Sequence, residues 1–201
     1  FGYQFMCRFF SGAGFMLKFF DDFDYYWRLD TDSKCPPSMK DVFEVMKTET
    51  LDYMYNEKFS DGGEVVQNLW LGGMEYARQN NMTGNLEPYA GDPKPNCASK
   101  DAPPAGLVDT STIPGTQHIM ETFGCTPGIF SKVPSYYTNF EVVRLSVLRS
   151  TSYQKFFKYV DDLGGIFLYR WGDAPIRWMA LQLHKDAHDL SVKSVTGCRH
   201  A

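Results

Sequence analysis

The stretch that decides the fold runs from Asn139 to Arg177 and reads NFEVVRLSVLRSTSYQKFFKYVDDLGGIFLYRWGDAPIR. Its first residues set the carboxylate of Glu141 inside an aromatic and aliphatic run. Burying a polar group without partners is costly, so a carboxylate in this position requires a reason. We therefore treat Glu141 as a candidate functional residue.

The rest of this stretch predicts two helices around a short strand. Ser150 or Thr151 can cap the first helix and Gly164 can end it. The apolar run from Ile166 to Tyr169 is typical of a buried strand, and Asp173 is placed to cap the second helix. Each helix has an apolar stripe at i, i+3, i+4 and i+7, formed by Tyr153, Phe156, Phe157 and Val160 in the first and by Ile176, Met179, Ala180 and Leu183 in the second.

Two patterns in this stretch resemble a known enzyme family. NFEV at residues 139–142, followed by GGIFLYRWGDAP at residues 164–175, is similar to the signature of the fungal-type α-1,2-mannosyltransferases, glycosyltransferase family 15. The resemblance implies a Golgi type II membrane enzyme that uses Mn2+ and GDP-mannose, with a nucleotide sugar and a glycan acceptor as partners. It also implies an α/β fold of the GT-A-like type, with a mixed sheet flanked by helices.

Composition is compatible with one sizeable domain. The 201 residues are 43% hydrophobic and carry a net charge of −4 with interspersed signs, which gives no electrostatic case for nucleic-acid binding. No apolar run approaches the roughly 20 residues of a membrane helix. The chain opens at Phe1 without a start methionine, and the family has a nucleotide-binding half upstream. We therefore expect the C-terminal portion of a catalytic domain, with a membrane anchor outside this chain.

The cysteines and one sequon favour a secretory compartment. Five cysteines lack the spacing of a zinc site, and Asn81-Met82-Thr83 is an N-glycosylation sequon. We expect one or two disulfides and an odd thiol in a Golgi lumen. Buried free thiols are the alternative.

A predicted buried strand from Phe23 to Leu29 leads into Asp30-Thr31-Asp32. Two carboxylates at the end of a strand can hold a divalent cation against a diphosphate. The alternative is an ordinary turn or helix cap. In the family, a glutamate and a proline stand at the positions of Asp30 and Thr31.

The N-terminal segment contributes two further candidates. Residues 3–12, YQFMCRFFSG, have the spacing of a core helix and resemble the family's Y-x-x-M-C-R-F-x-S-G element. The resemblance implies that Tyr3 contacts the nucleotide sugar or the acceptor. Arg8 and Arg28 can add positive charge to the phosphates, or each can form a structural ion pair.

Histidines near the end of the chain complete the candidate metal site. His200 matches the family's metal-binding histidine, so Asp30 and His200 are the predicted ligands, with Asp32 binding directly or through water. We interpret His184 and His188 as solvated surface, although they are four residues apart. Arg177 stands where the family usually has a histidine, and we assign it no catalytic role.

The middle of the chain divides into scaffold and insertion. We predict a short helix over Met39–Met46, a strand over Leu51–Tyr55 and a helix over Glu64–Gln79. Residues 80–134 are rich in proline, glycine and small polar residues, and most of them have no close counterpart in the family. We expect this insertion to be the least regular and most mobile part of the molecule.

These residues predict a retaining α-1,2-mannosyltransferase. Glu141 would act as nucleophile or as electrostatic stabiliser of the anomeric centre, unless it merely pairs with Arg144 or Arg149. Asp173 would bind acceptor hydroxyls, or would only cap its helix. Two other functions remain open: an inactive homologue or carbohydrate-binding module, and a transferase that uses another nucleotide sugar.

Overall fold

The computed structural model describes residues 2–36, 39–62, 64–82, 132–195 and 198–200, apart from the side chains of residues 185–188, 199 and 200. The helices are α1 (Gly2–Ser11), α2 (Val42–Thr48), α3 (Leu69–Gln79), α4 (Leu145–Leu148), α5 (Thr151–Asp162), α6 (Gly165–Leu168) and α7 (Asp173–His188), with 3-10 turns at Ala13–Met16 and Lys18–Phe20. The strands are β1 (Tyr25–Leu29), β2 (Ser33–Lys34), β3 (Tyr53–Tyr55), β4 (Lys58–Asp61), β5 (Val133–Tyr136), β6 (Phe140–Arg144), β7 (Val192–Ser194) and β8 (Arg199–His200).

A four-stranded mixed sheet organises the described residues. Its strand order is β1-β6-β3-β7, with β6 antiparallel to both β1 and β3, and β3 parallel to β7. Two further strand pairs, β2–β8 and β4–β5, are antiparallel. The predicted α/β class, a mixed sheet flanked by helices, is confirmed.

Alternation along the strands sends side chains to two different layers. One face packs against α2, where Phe140 and Val142 join Met46 in a small core. The opposite face packs against the larger group of helices, and it carries Tyr53 and Val143. Glu141 lies between Phe140 and Val142 in β6, so its side chain is directed to the large helical layer.

The predicted start and stop signals hold for the first of the two C-terminal helices, and the second begins where the sequence placed its start. The Ser150 hydroxyl accepts a hydrogen bond from the Tyr153 backbone N–H at 3.2 Å, which caps α5. Gly164, with φ of 72°, follows its C-terminus in a left-handed conformation that suits glycine. Helix α7 begins at Asp173. All eight residues of the two predicted apolar stripes are buried.

The strand predicted from Ile166 to Tyr169 is wrong, because this segment is the short helix α6. Backbone N–H groups of Leu168 and Tyr169 donate to the carbonyls of Gly164 and Gly165, at 3.0 and 2.8 Å. The left-handed Gly164 reverses the chain and starts a new turn at once. Leu168 is 71% exposed, so apolar composition alone misled the prediction.

Two other predictions need correction. The strand before Asp30 is not buried, because β1 lies at the edge of the sheet and leaves Trp27 and Leu29 partly exposed. The helix predicted from Glu64 begins only at Leu69, since Asn68 adopts a left-handed conformation with φ of 62°.

Three further expectations concern the insertion, the cysteines and the membrane. Most of the predicted insertion, residues 83–131, lies outside the described residues. Cys35 and Cys198 form a disulfide, and Cys7 is a buried free thiol, so both kinds of cysteine expected from the sequence occur. Among the described residues, no helix has the length and apolar character needed to cross a bilayer.

Candidate functional site

The two strand-end carboxylates follow β1 directly, as the sequence predicted. The backbone N–H of Asp30 donates to the Asn139 carbonyl at 2.9 Å, and that of Ser33 donates to the Asp30 carbonyl at 2.9 Å. These bonds fix a tight turn between β1 and β2. The Asp30 side chain is 38% exposed, so its carboxylate remains accessible from solvent.

Arg28 joins two of the predicted site carboxylates. Its Nε donates to Asp30 at 3.0 Å and its Nη1 donates to Asp173 at 2.8 Å, while its guanidinium lies 4.5 Å from the centre of the Phe10 ring. Burial disfavours the charge on Arg28, but the carboxylates, Asp173 first, raise its pKa above the ordinary value. Arg28, Asp30 and Asp173 therefore form one charged cluster at the end of the sheet. We call it the strand-end cluster.

Tyr3 lies beside this cluster, on the first turn of α1. It is 46% exposed, and its hydroxyl lies next to Gly172, the residue before α7. Burial, together with the neighbouring Cys7 and Asp173, raises the pKa of Tyr3. Burial also raises the pKa of the Cys7 thiol to about 11, with a further contribution from Asp173. Both groups are therefore protonated at neutral pH.

Glu141 lies beneath this surface. Its side chain has no exposed area, and it accepts hydrogen bonds from Arg177 at 3.2 and 3.3 Å and from the Tyr53 hydroxyl at 3.0 Å. Because its strand neighbours Phe140 and Val142 have the character of core residues, alternation predicts that Glu141 faces a cleft or solvent. That prediction is wrong, since the side chain is buried among its partners. Pairing with Arg144 or Arg149 is also wrong, because these arginines pair with Asp52 and Asp21.

Arg177 is fully buried, and four acceptor atoms satisfy it. Besides Glu141, it donates to the Tyr153 hydroxyl at 2.5 Å and to the Phe10 carbonyl at 2.6 Å. Burial raises the pKa of Glu141, and the Arg177 guanidinium opposes that shift. The pair is compensated inside the core.

Sequence reasoning missed this role of Arg177, although two signals pointed to it. Arg177 lies four residues after Asp173, so the two share one face of α7. Arg28 and Glu141 lie directly opposite each other on adjacent strands and so share one face of the sheet. A helix packed on that face brings Arg177 to Glu141 just as it brings Asp173 to Arg28.

The structure does not bring Arg8 into the strand-end cluster. Its guanidinium forms two hydrogen bonds to Asp161 near the C-terminus of α5, at 2.7 and 2.8 Å. This is the ion pair that the sequence left open as the alternative to phosphate binding.

The backbone of His200 lies close to the two strand-end aspartates. In the β2–β8 pair, His200 is opposite Ser33, the residue that follows Asp32, and the Cys35–Cys198 disulfide ties the same two segments together. The His200 imidazole lies outside the described side chains, so its predicted approach to Asp30 stays a prediction. Within the described part of the chain, no three Asp, Glu, His or Cys side chains form a metal-binding group.

His184 is not solvated surface. It is buried, and its Nδ1 lies 2.7 Å from the Ala180 carbonyl oxygen. The interpretation of His184 as solvated surface is therefore wrong. The side chain of His188 lies outside the described residues.

Solved structures of related proteins share this fold. The mannosyltransferase Ktr4p from Saccharomyces cerevisiae aligns with a TM-score of 0.70 at 25% identity, over 99% of this chain and 46% of that chain. Core-mannan synthase A (CmsA/Ktr4) from Aspergillus fumigatus, in a Mn/GDP form, aligns with a TM-score of 0.66 at 24% identity, over 96% of this chain and 45% of that chain.

Curated relatives match by sequence. Glycolipid 2-alpha-mannosyltransferase 1 of Candida albicans is 29% identical over 185 residues, which are 90% of this chain and 35% of the relative. O-glycoside alpha-1,2-mannosyltransferase homolog 2 of Schizosaccharomyces pombe is 28% identical over 201 residues, 99% of this chain and 46% of the relative. The chain thus spans less than half the length of each. The family model for glycolipid 2-alpha-mannosyltransferases matches residues 1–201, and the chain belongs to that family.

Proposed function

We propose that the protein containing this chain is a retaining α-1,2-mannosyltransferase that moves mannose from GDP-mannose to a mannoside or glycan acceptor in protein glycosylation. The observation that carries the proposal is the strand-end cluster, because it unites Arg28, Asp30 and Asp173 at one end of the sheet in a chain that matches this family along its whole length. Nothing in the comparisons favours an inactive homologue or a carbohydrate-binding module.

The donor set suits manganese, which accepts carboxylate oxygens and imidazole nitrogen. Asp30 keeps an accessible carboxylate although one of its oxygens accepts from Arg28. We propose that Asp30 and His200 would hold Mn2+, with Asp32 binding directly or through water. The bound ion would supply Lewis-acid neutralisation of the leaving GDP diphosphate. The A. fumigatus protein of the same fold was obtained in a Mn/GDP form, which supports manganese and GDP as the groups bound and leaves the ligand residues as our proposal.

The chain's own residues would orient the sugar. Asp173 is held by Arg28 and lies beside the partly exposed Tyr3, so we propose that these two side chains contact hydroxyls of the donor mannose or the acceptor. Glu141 has no exposed surface and is held by Arg177 and Tyr53. We therefore favour an electrostatic role beneath the anomeric centre over nucleophilic attack, which would require Glu141 to leave both partners.

We also propose a Golgi-lumenal location with an anchor outside this chain. The Cys35–Cys198 disulfide is typical of proteins that fold in an oxidising compartment. Asn81 of the sequon is exposed at the end of α3, where an oligosaccharide transferase can reach it.

The test is transfer of mannose by the full-length protein, with GDP-mannose compared against UDP- and GDP-linked sugars, with and without manganese. We expect manganese-dependent transfer from GDP-mannose and loss of most activity in Asp30→Asn. Asp161→Asn is the matched control, because it removes a carboxylate that pairs with Arg8 away from the cluster. Transfer from a different sugar nucleotide, or binding of mannosides without transfer, would replace the proposal by one of its two rivals.

The variant Glu141→Gln tests whether the buried carboxylate has an electrostatic role in transfer or only a structural one. An electrostatic stabiliser of a developing positive charge is worth roughly 10²–10³ in rate where a comparable group has been removed. We expect a loss of this order in turnover at a temperature where the variant is fully folded. Near-normal turnover would leave Glu141 as a purely structural partner of Arg177.

A further inference from the structure

Arg170 has a strained backbone at an exposed position. Its φ is 66°, in the left-handed region that favours glycine and, to a lesser degree, asparagine. It is the charged residue of the RWGD motif, residues 170–173, to which neither the sequence nor the proposed mechanism has given a role. Strained positions persist where the surrounding structure enforces them, and they concentrate at functional sites.

Arg170 also differs from the other described arginines in the group that its guanidinium contacts. Of the seven arginines whose side chains the structure describes, six form an ion pair with a carboxylate: Arg8, Arg28, Arg78, Arg144, Arg149 and Arg177. Arg170 instead lies over the ring of Tyr3, with its guanidinium carbon 4.5 Å from the ring centre. A stacked guanidinium keeps its hydrogen-bond donors available to another group.

A chain of contacts connects Arg170 to the strand-end cluster. The Tyr3 ring carries Arg170 on its face, and the Tyr3 hydroxyl lies next to Gly172, immediately before Asp173. Asp173 in turn accepts from Arg28, which also donates to Asp30. The guanidinium of Arg170 therefore lies at the rim of the cluster that would hold the metal and the leaving group.

The charges of this cluster call for an additional cation. Arg28 is already shared by two carboxylates, so its charge is not available to phosphate oxygens. A diphosphate leaving group brings more negative charge than a single divalent metal ion neutralises once carboxylates are bound to that ion. Arginine is suited to this task because its planar donors match phosphate oxygens two at a time.

We infer that Arg170 binds the diphosphate of the nucleotide sugar and that Tyr3 holds it in place by stacking. This inference rests on the proposed function, since it names the group that contacts the leaving phosphates at the same site. The left-handed backbone and the stacking on Tyr3 occur at the same residue. A binding role would account for a bulky side chain at a position that glycine would fill with less strain.

The experiment measures the binding of GDP and of guanosine to the full-length protein by calorimetry in the presence of manganese. Arg170→Gly should weaken GDP binding by about 10- to 100-fold, the effect expected for a charge-assisted hydrogen bond. Guanosine, which lacks phosphates, should bind as it does to the unchanged protein. Arg170→Lys should show a smaller loss, because it keeps the charge without the planar donors.

Stability distinguishes a binding role from a structural one. Because glycine relieves the left-handed strain, the melting temperature of Arg170→Gly should stay within about 2 °C of the unchanged protein or rise. Arg78→Met is the control: it removes another exposed arginine, which pairs with Glu75 on α3, and GDP affinity should not change.

Three results would overturn the inference while leaving the proposed function intact. They are an unchanged GDP affinity in Arg170→Gly, an equal loss of affinity for guanosine, and a marked fall in the melting temperature of the variant. If the unchanged protein binds neither GDP nor GDP-mannose, the proposed function fails, and this inference fails with it.

Discussion

Replacing Arg177 by methionine would leave Glu141 in the core without its counter-charge. Methionine fills a similar volume but cannot donate a hydrogen bond, so the variant also removes the donor to the Tyr153 hydroxyl and to the Phe10 carbonyl. Both members of the pair have no exposed surface, so water does not replace the lost bonds. We expect the free energy of unfolding at neutral pH to fall by about 3–5 kcal/mol, as when one partner of a buried ion pair is removed elsewhere.

The loss should depend on pH in a defined direction. Burial already raises the pKa of Glu141 above its ordinary 4.5, and removing Arg177 raises it further. Between 4.5 and the raised value, the folded variant holds a proton that the unfolded chain releases. Its stability therefore falls as pH rises through this window and returns on acidification.

Thermal and urea unfolding of the full-length protein at several pH values between 5 and 8 tests this reasoning. A second variant that combines Arg177→Met with Glu141→Gln should regain much of the lost stability, because no charge then remains buried. If Arg177→Met alone matches the unchanged protein, or if its deficit grows on acidification, then the pair does not behave as a compensated buried pair.

Two further substitutions test other parts of the fold. Cys35→Ser removes the disulfide that joins residues 163 positions apart, and it should lower the free energy of unfolding by roughly 2–5 kcal/mol. Because β8 is then no longer tied to β2, manganese-dependent transfer should also weaken, as unfolding and activity assays on one preparation would show. Gly165→Ala should lower the unfolding free energy by about 1–3 kcal/mol or more, because the new methyl would lie 2.2 Å from the Trp171 indole, whereas Gly2→Ala, with no atom within 4 Å, should leave it unchanged.

The sequence predicted those elements whose signals are local. Helix α5 has both a Ser150 cap and a full apolar stripe, and β1 ends at the polar turn that its composition indicated. The strand prediction for the segment from Ile166 to Tyr169 was wrong for a local reason as well. Four apolar residues fit a strand and a turn of helix equally, and only the conformation of Gly164 decides between them.

The candidate site was predictable as a set of residues but not as a set of partners. Motif positions identified Arg28, Asp30 and Asp173, which the fold unites although they are up to 145 residues apart in sequence. For Glu141, the candidate partners were sought near it in the chain, at Arg144 and Arg149. The actual partner lies 36 residues away on another element, and no sequence pattern fixes the rotation of that helix.

The orientation of α7 about its own axis connects the buried Glu141–Arg177 pair to the strand-end cluster. Asp173 and Arg177 are one turn apart on this helix, and they bind Arg28 and Glu141, which lie opposite each other on adjacent strands. Apolar packing alone tolerates small rotations of a helix on a sheet, whereas two directional ion pairs on neighbouring positions do not. The Glu141–Arg177 pair thus fixes the face that α7 presents to the sheet, and with it the place of Asp173 beside Arg28 and Asp30. Arg177, which has no exposed surface, can in this way control the position of Asp173, 4 residues earlier on the same helix, and with it the geometry of the strand-end cluster.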